Sequence, residues 1–209
     1  MTRIAKRPRD AEATRAALLE RATHAFADRG YDGARIDEIA EDAGINKRMI
    51  YAYFGDKDGL YLAVLDACLA RALELGREGA VPPGATLRER VEVIIRRFFD
   101  YLGTNPDFVR LLTWEAVSSD RRGRKILLSR LETGLEPLKL IVRQGVAEGT
   151  FRQDLDPRAF LLAVNALLLG YFNVRHLVEA LWKKELTHPA ASELVVRQFL
   201  GILLDGIGA

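Results

Sequence analysis

The chain has 209 residues, 49% of them hydrophobic and 29% charged, with 31 basic against 29 acidic side chains for a net charge of +2. At ~150 residues per domain that length holds one or two domains, and the composition excludes a disordered or fibrous chain. One cysteine, Cys68, forms no intrachain disulfide and no CxxC or Cys/His cluster offers a structural zinc site, so a reducing cytoplasm is the expected compartment.

The amino terminus, MTRIAKRPRD, lacks the apolar stretch of a signal peptide and carries Arg3, Lys6, Arg7 and Arg9 without an acid before residue 10. Residues 1–10 therefore read as a flexible basic arm, of the kind that binds polyanions, although a solvated tail has the same composition. A first helix is expected over about 11–29, where Leu18, Ala22, Ala25 and Phe26 share a face and Gly30 supplies a left-handed stop. A second covers 36–43, with Ile36, Ile39, Ala40 and Ala43 at helical spacing and Gly44 ending it. A third runs from the N-cap residue Asn46 to Phe54, and after GDK a long helix covers about 57–78.

Beyond VPPGAT, a helix is expected over about 86–103, and Asn105 followed by Pro106 opens another to about Ser118. The stretch from Arg121 to Glu148 must kink or split at Pro137. Asp156 and Pro157 repeat the cap-plus-proline signature and open a helix to Trp182, and Pro189 begins the last one, to about Asp205. The uncharged run Ala159–Val174 is 16 residues long, short of the ~20 needed to span a bilayer, and reads as a buried core helix with no membrane role. The fold class is all-α: a small three-helix domain over 11–56, a larger helical domain over 57–209, and no internal repeat.

Residues 36–54, IDEIAEDAGINKRMIYAYF, have the spacing of a helix-turn-helix. Ala40 is small where two helices cross, Gly44 permits a turn with positive φ, and Ile39, Ile45 and Ile50 fill the space between the helices. Ile50 and Phe54 share the inward face of the third helix, which leaves Lys47, Arg48, Met49, Tyr51, Ala52 and Tyr53 on its flanks and outer side. This basic and aromatic set suits a helix lying in a DNA major groove ~12 Å wide. Arg48 is the best candidate for a bidentate bond to guanine, and Lys57, at a helix amino terminus, for a phosphate clamp of charge plus backbone N–H groups.

The run LLERATHAFADRGYDGARIDEIAEDAGINKRMIYAYFGDKDGLYLAVL strongly resembles the DNA-binding domain of the tetracycline-repressor-like (TetR) family, through Phe26, Gly30, Tyr31, Ile39, Ala40, Gly44, Tyr51, Tyr53, Phe54, Lys57 and Leu60. Farther on, EGTFRQDLDP resembles the turn before the penultimate helix of many members. The resemblance implies that Lys47, Arg48, Met49 and Tyr51 face the major groove, that Tyr53 and Lys57 hold phosphates, and that Thr14, Arg15 and Arg35 add backbone contacts. Two positions depart from the family pattern. Arg35 stands where a capping hydroxyl residue is usual, so that either the second helix is less well capped or the arginine reaches a phosphate; Met49 stands where small or polar residues are common, so base preference does not carry over.

For the larger domain two readings compete, a sensor with a dimer interface and an enzyme fused to a DNA-binding module. The sequence has no HExxH, GxSxG, GxxxxGK[ST] or GxGxxG, His24, His176 and His188 are scattered, and Cys68 reads as a small packing residue. No catalytic residue, metal site or cofactor is expected. FLLAVNALLLGYFNV and LVVRQFLGILLDGIG are apolar around most of their circumference, as the centre of a bundle would be. The resemblance implies that these two carboxy-terminal helices pair with their copies in a homodimer, which would place two recognition helices ~34–36 Å apart on a palindromic double-stranded operator. Phe98, Tyr101, Phe108, Trp114, Glu115, Asn165, Phe172 and His176 are candidates to line a largely apolar cavity for a small-molecule inducer. The expected function is a repressor released by that ligand, with an activator or a ligand-independent repressor as alternatives.

Overall fold

The structure, a computed structural model, describes residues 8–75, 84–120, 122–183, 186 and 189–206. Over these it has ten helices and no strand: α1 (Pro8–Gly33), α2 (Ile36–Asp42), α3 (Lys47–Phe54), α4 (Lys57–Glu74), α5 (Leu87–Thr104), α6 (Pro106–Val117), α7 (Arg124–Gly134), α8 (Glu136–Ala147), α9 (Pro157–Trp182) and α10 (Pro189–Asp205). The all-α class holds. Helix α1 starts at Pro8 rather than near residue 11, since proline's fixed φ and missing N–H suit the first helical position. Arg9 thus stands in a helix and not in an arm, whereas Arg3, Lys6, Arg7 and His188 lie outside the described residues, as does the segment 76–83.

Two compact units form. The first comprises the chain up to Leu69 together with Arg110–Arg130; the second comprises Ala70–Val109 and the chain from Leu131 onward. The core of the first unit is Leu18, Ala22, Phe26, Ala27, Ile39, Ala40, Ile50, Leu60, Tyr61, Val64, Leu65 and Leu111. Ala25 and Ile45 lie partly buried at its margin, and so does Phe54, which was expected inside beside Ile50. Phe54 is the last residue of α3, where the helix runs out of neighbours, and the Arg15 guanidinium lies 5.0 Å from its ring centre.

Gly30 is the sharpest feature of α1, with φ 67° and ψ −179° inside an otherwise helical run. A side chain there would meet the Trp114 indole at 3.2 Å, and that indole donates its Nε1–H to the Ala27 carbonyl at 3.1 Å. Glu115, the next residue of α6, accepts the Tyr61 hydroxyl at 2.6 Å and the Gly123 N–H at 3.1 Å. Burial pushes the Tyr61 hydroxyl up from its ordinary pKa, with the Glu115 hydrogen bond adding to the shift.

In the second unit α5 buries Leu87, Val91, Ile95, Phe99 and Leu102 along one stripe, and α9 buries Phe160, Val164, Leu168 and Phe172 at intervals of four. Phe99 meets Tyr171 and Phe172 with ring centres 5.6 and 5.0 Å apart, and Tyr171 meets Phe199 of α10 at 5.7 Å. Arginines of α5 tie down both ends of α10. Arg96 bonds Glu193 at 3.0 Å, and Arg88 donates to the Leu204 carbonyl at 3.0 Å while pairing with Asp205. A cation at a helix carboxy terminus is also favoured by the helix dipole. The stretch around Pro137 splits rather than kinks, with α7 ending at Gly134 and Pro137 in the first turn of α8, where its missing N–H costs nothing.

Helix α9 corrects an expectation. It was expected to be a buried core helix, but apart from its one buried stripe it leaves Leu162 71%, Val174 45%, Leu177 62% and Leu181 76% exposed, and α10 leaves Ile202 66% exposed. With 26 residues it is also long and apolar enough by length and composition to cross a membrane. The sequence count stopped at Arg175, although a helix tolerates an isolated charge on its polar side.

Candidate nucleic-acid interface

The turn between α2 and α3 is closed by backbone hydrogen bonds, Ile45 N–H to Ala40 O at 2.9 Å and Gly44 N–H to Glu41 O at 2.9 Å, with Gly44 at φ 64°. This is the Schellman arrangement, and the left-handed residue it requires is the one glycine provides without strain. Asn46 then caps α3, its side-chain oxygen accepting from the Arg48 N–H at 2.9 Å. With Ile50 fully buried below, α3 has one rotational setting. Lys47, Arg48, Tyr51 and Ala52 are exposed, and Met49 and Tyr53 half-buried on the flanks. Arg35 precedes α2 at the N-cap with extended backbone and no side-chain capping bond, in line with the weaker capping that was one of the two alternatives for an arginine there.

The cations of this face differ in what holds them. Lys47 Nζ lies 2.9 Å from Asp37 Oδ1, and the hydrogen bond that the ammonium donates to that carboxylate raises the lysine's pKa. Arg15 is exposed against the Phe54 ring, and Thr14 is half-buried nearby in sequence on α1. Lys57 sits 4.5 Å from the centre of the Tyr31 ring and 3.5 Å from the Asp32 carbonyl. At the start of α4 the Asp56 carboxylate accepts the Gly59 N–H at 2.7 Å, so one backbone donor of the expected phosphate clamp is already occupied. The expected clamp is thus left with the Lys57 charge more than with the helix end.

Around Tyr31 a polar cluster joins α1, α4 and the α6–α7 loop. The Tyr31 hydroxyl donates to Asp58; Arg122 bonds Asp58 at 2.8 Å, and its guanidinium lies 4.0 Å from the Tyr31 ring centre. Burial pushes the Tyr31 pKa up to about 12, with the Asp58 bond adding to it, and the Tyr31 hydroxyl in turn holds the Asp58 carboxyl below its ordinary range. The lowered carboxyl stabilises the fold above the unfolded pKa of about 4, and this contribution is lost as pH falls through the lower folded value. The raised hydroxyl stabilises it below about pH 10 and is lost as pH climbs through about 12. Comparing Asp58→Asn with the unaltered chain by denaturant unfolding at several pH values is expected to show a stability gap near neutrality that closes on acidification. A gap constant with pH would show that the carboxyl is not held below its ordinary range.

Sequence comparisons agree with this geometry. Residues 18–64 match the family described as "Bacterial regulatory proteins, tetR family", and residues 88–201 match "Tetracyclin repressor-like, C-terminal domain". The chain belongs to the TetR family of transcriptional regulators. Among the relatives of this TetR-family regulator, the HTH-type transcriptional repressor NicS of Pseudomonas putida is 33% identical over 175 residues, 81% of either chain. Two solved structures share its fold. One is the ketosteroid transcriptional regulator KstR2 of Mycobacterium tuberculosis, with TM-score 0.68 and 25% identity, covering 93% of this chain and 95% of that one. The other is the transcriptional regulator FadR of Bacillus subtilis in complex with stearoyl-CoA, with TM-score 0.74 and 21% identity, covering 92% and 98%.

The cavity candidates of this TetR-family chain fall into two groups. Tyr101 and Phe108 are buried in the second unit with ring centres 5.3 Å apart, Phe172 is buried against Phe99, and Phe98 and Asn165 are half-buried. His176 is exposed on α9. Trp114 and Glu115 instead belong to the first unit, where they bond Ala27, Tyr61 and Gly123 and stop Gly30 from carrying a side chain. Phe99, Tyr171 and Phe199 are aromatic residues of the second unit that the sequence reading passed over. The four-residue spacing of Val91, Ile95 and Phe99 would have found the first of them.

Proposed function

We propose that this protein is a homodimeric repressor, acting in the cytoplasm, that holds a palindromic operator through α3 and releases it when a small, largely apolar ligand binds in the second unit. The observation that carries the reading is the presentation of Lys47, Arg48 and Tyr51 as exposed side chains on a helix anchored by buried Ile50. In it Lys47, Arg48, Met49 and Tyr51 face bases, and Tyr53, Lys57, Thr14, Arg15 and Arg35 face the sugar-phosphate backbone. The second copy covers the open apolar face of α9 and α10, including Leu177, Leu181 and Ile202, because soluble monomers rarely expose large apolar patches and such patches mark interaction sites. Exposed Asn173 and His176, with half-buried Arg175 between them in sequence, suit a protein partner better than a lipid.

The buried aromatic set Tyr101, Phe108 and Phe172, with half-buried Phe98 and Asn165, favours an apolar or aromatic ligand, and the stearoyl-CoA bound by the FadR relative supports the same class. Binding weakens operator affinity only by the ligand's preference for the second state, typically ~1–3 kcal/mol. Helix α4, which begins at Lys57 and runs from the first unit into Ala70–Glu74 of the second, is the element that carries the shift.

Equilibrium binding to duplexes selected from a random pool, over a salt series, tests the DNA reading. Arg48→Ala is expected to cost about 1–3 kcal/mol on the selected duplex and to relax preference at one base pair, whereas Lys57→Ala weakens all duplexes alike and flattens the salt dependence by about one contact. Equal losses from Arg48→Ala on every duplex would remove its base-reading role. For the dimer, Leu177→Glu is expected to turn a dimer into a monomer in sedimentation equilibrium, and a monomeric unaltered chain would end that part of the proposal. Titrating fatty acyl and aromatic compounds against the preformed DNA complex separates a ligand-released repressor from a ligand-independent one.

A further inference from the structure

We infer that Asp37 controls how strongly the DNA-facing helix holds duplexes of any sequence, by keeping the Lys47 ammonium bound to the protein until a well-placed acceptor on DNA replaces it. The inference rests on the reading of α3 as the DNA-facing helix. Asp37 is in the first turn of α2 and Lys47 opens α3, ten residues later in the chain; the Gly44 turn folds one back on the other until carboxylate and ammonium lie 2.9 Å apart. Both remain in solvent, with side-chain exposures of 73% and 56%. The pair stands at the mouth of an open groove between α2 and α3 that Glu41, Asn46 and Arg48 also line. The Arg48 guanidinium, by contrast, takes part in no ion pair with a described residue.

An exposed pair of this kind is weak and screened by salt, so an acceptor held at a fixed place within reach of the ammonium displaces it, whereas a mobile or distant phosphate competes less well. While intact, it still cancels one of the few cations that α3 offers to phosphates. Non-specific binding depends on the number of phosphates neutralised and the counterions released with them, so one cancelled lysine removes one released ion. A correct sequence presents a base-edge acceptor such as guanine O6 or N7 at a fixed place, recovers the lysine and restores that contact. Asp37 therefore lowers affinity for wrong duplexes more than for right ones. It is a positioning residue for Lys47.

The test compares Asp37→Asn, Lys47→Ala and the double variant on a random-sequence duplex and on a duplex selected from a random pool. Asp37→Asn is expected to bind the random duplex about eightfold more tightly at 0.1 M salt and to steepen the logarithmic salt slope by about 0.9, as one further released counterion requires. The selected duplex gains less, so the ratio between the two falls. In the Lys47→Ala background the same substitution changes neither quantity, and Asp37→Glu, which keeps the charge, retains the original slope. A gain that persists without Lys47, or an unchanged slope with it, overturns the inference. Arg35 supplies α2 with no side-chain cap, so Asp37→Asn costs that helix an acidic first-turn residue. Asp37→Ser, tested with a melting curve, gives the same slope change if the asparagine form is poorly folded. If the unaltered chain binds no duplex, the DNA reading of α3 fails instead, and the inference with it.

Discussion

Replacing Gly30 by alanine is expected to destabilise the first unit by about 2–6 kcal/mol. Two independent terms add up to that. At φ 67° and ψ −179° an L-residue sits in a region open essentially to glycine alone, a strain of about 1–3 kcal/mol. The new methyl also lies 3.2–3.3 Å from three carbons of the Trp114 ring, and that ring is fixed by its bond to the Ala27 carbonyl, so overpacking costs about 1–3 kcal/mol more. Urea unfolding followed by Trp114 fluorescence, in a Trp182→Phe background, measures the loss. A change within about 0.5 kcal/mol, the range of ordinary surface substitutions, would show that the turn relaxes into another conformation. In a Trp114→Ala background only the strain term is expected to remain.

Leu111→Ala is expected to cost about 2–5 kcal/mol, the range for emptying a fully buried leucine site. Leu111 has no exposed surface and lies on α6, yet it packs in the core that Phe26, Ile39, Ile50 and Leu60 form beneath the helix-turn-helix. The loss should appear in the unfolding of the first unit and in DNA binding at raised temperature, not only in the second unit. Leu111→Met, which conserves volume, is expected to cost under about 1.5 kcal/mol. Equal effects of the two substitutions would mean that the site is loosely packed.

The helix-turn-helix was legible because its constraints are local. Small Ala40, left-handed Gly44, the Asn46 cap and buried Ile50 each answer to neighbours within a few residues, and the structure realises all four. Helix starts at Asp156 and Pro157 were readable for the same reason, with the Asp156 side chain accepting the Ala159 N–H at 2.8 Å. One local signal was missed. Thr86 and Glu89 form a reciprocal capping box at the start of α5, a pattern of threonine followed three residues later by glutamate that the sequence displays openly. Trp114 and Glu115 failed differently, since an aromatic residue beside an acid on an apolar helix looks the same whether it lines a cavity or packs against an element 87 residues away, as the Trp114–Ala27 bond does. The Asp37–Lys47 pair was invisible for the related reason that helical periodicity describes one helix at a time. The exposed face of α9 escaped because hydrophobicity all round a helix announces burial without saying by which chain.

Because Leu111, Trp114 and Glu115 come from a later stretch of chain, the first unit is incomplete while the protein is being made. Everything up to Leu69 leaves the ribosome before Arg110–Arg130 exists. At about 5–20 residues per second, roughly 3–12 s pass between the synthesis of Leu69 and that of Arg130, during which the Phe26, Leu60 and Leu65 side chains lack part of their cover. The first unit thus has all of its chain only after more than half of the sequence has been translated. Transplanting this DNA-binding unit onto another protein calls for residues 110–130 to travel with it, as a second insertion rather than a single amino-terminal fusion.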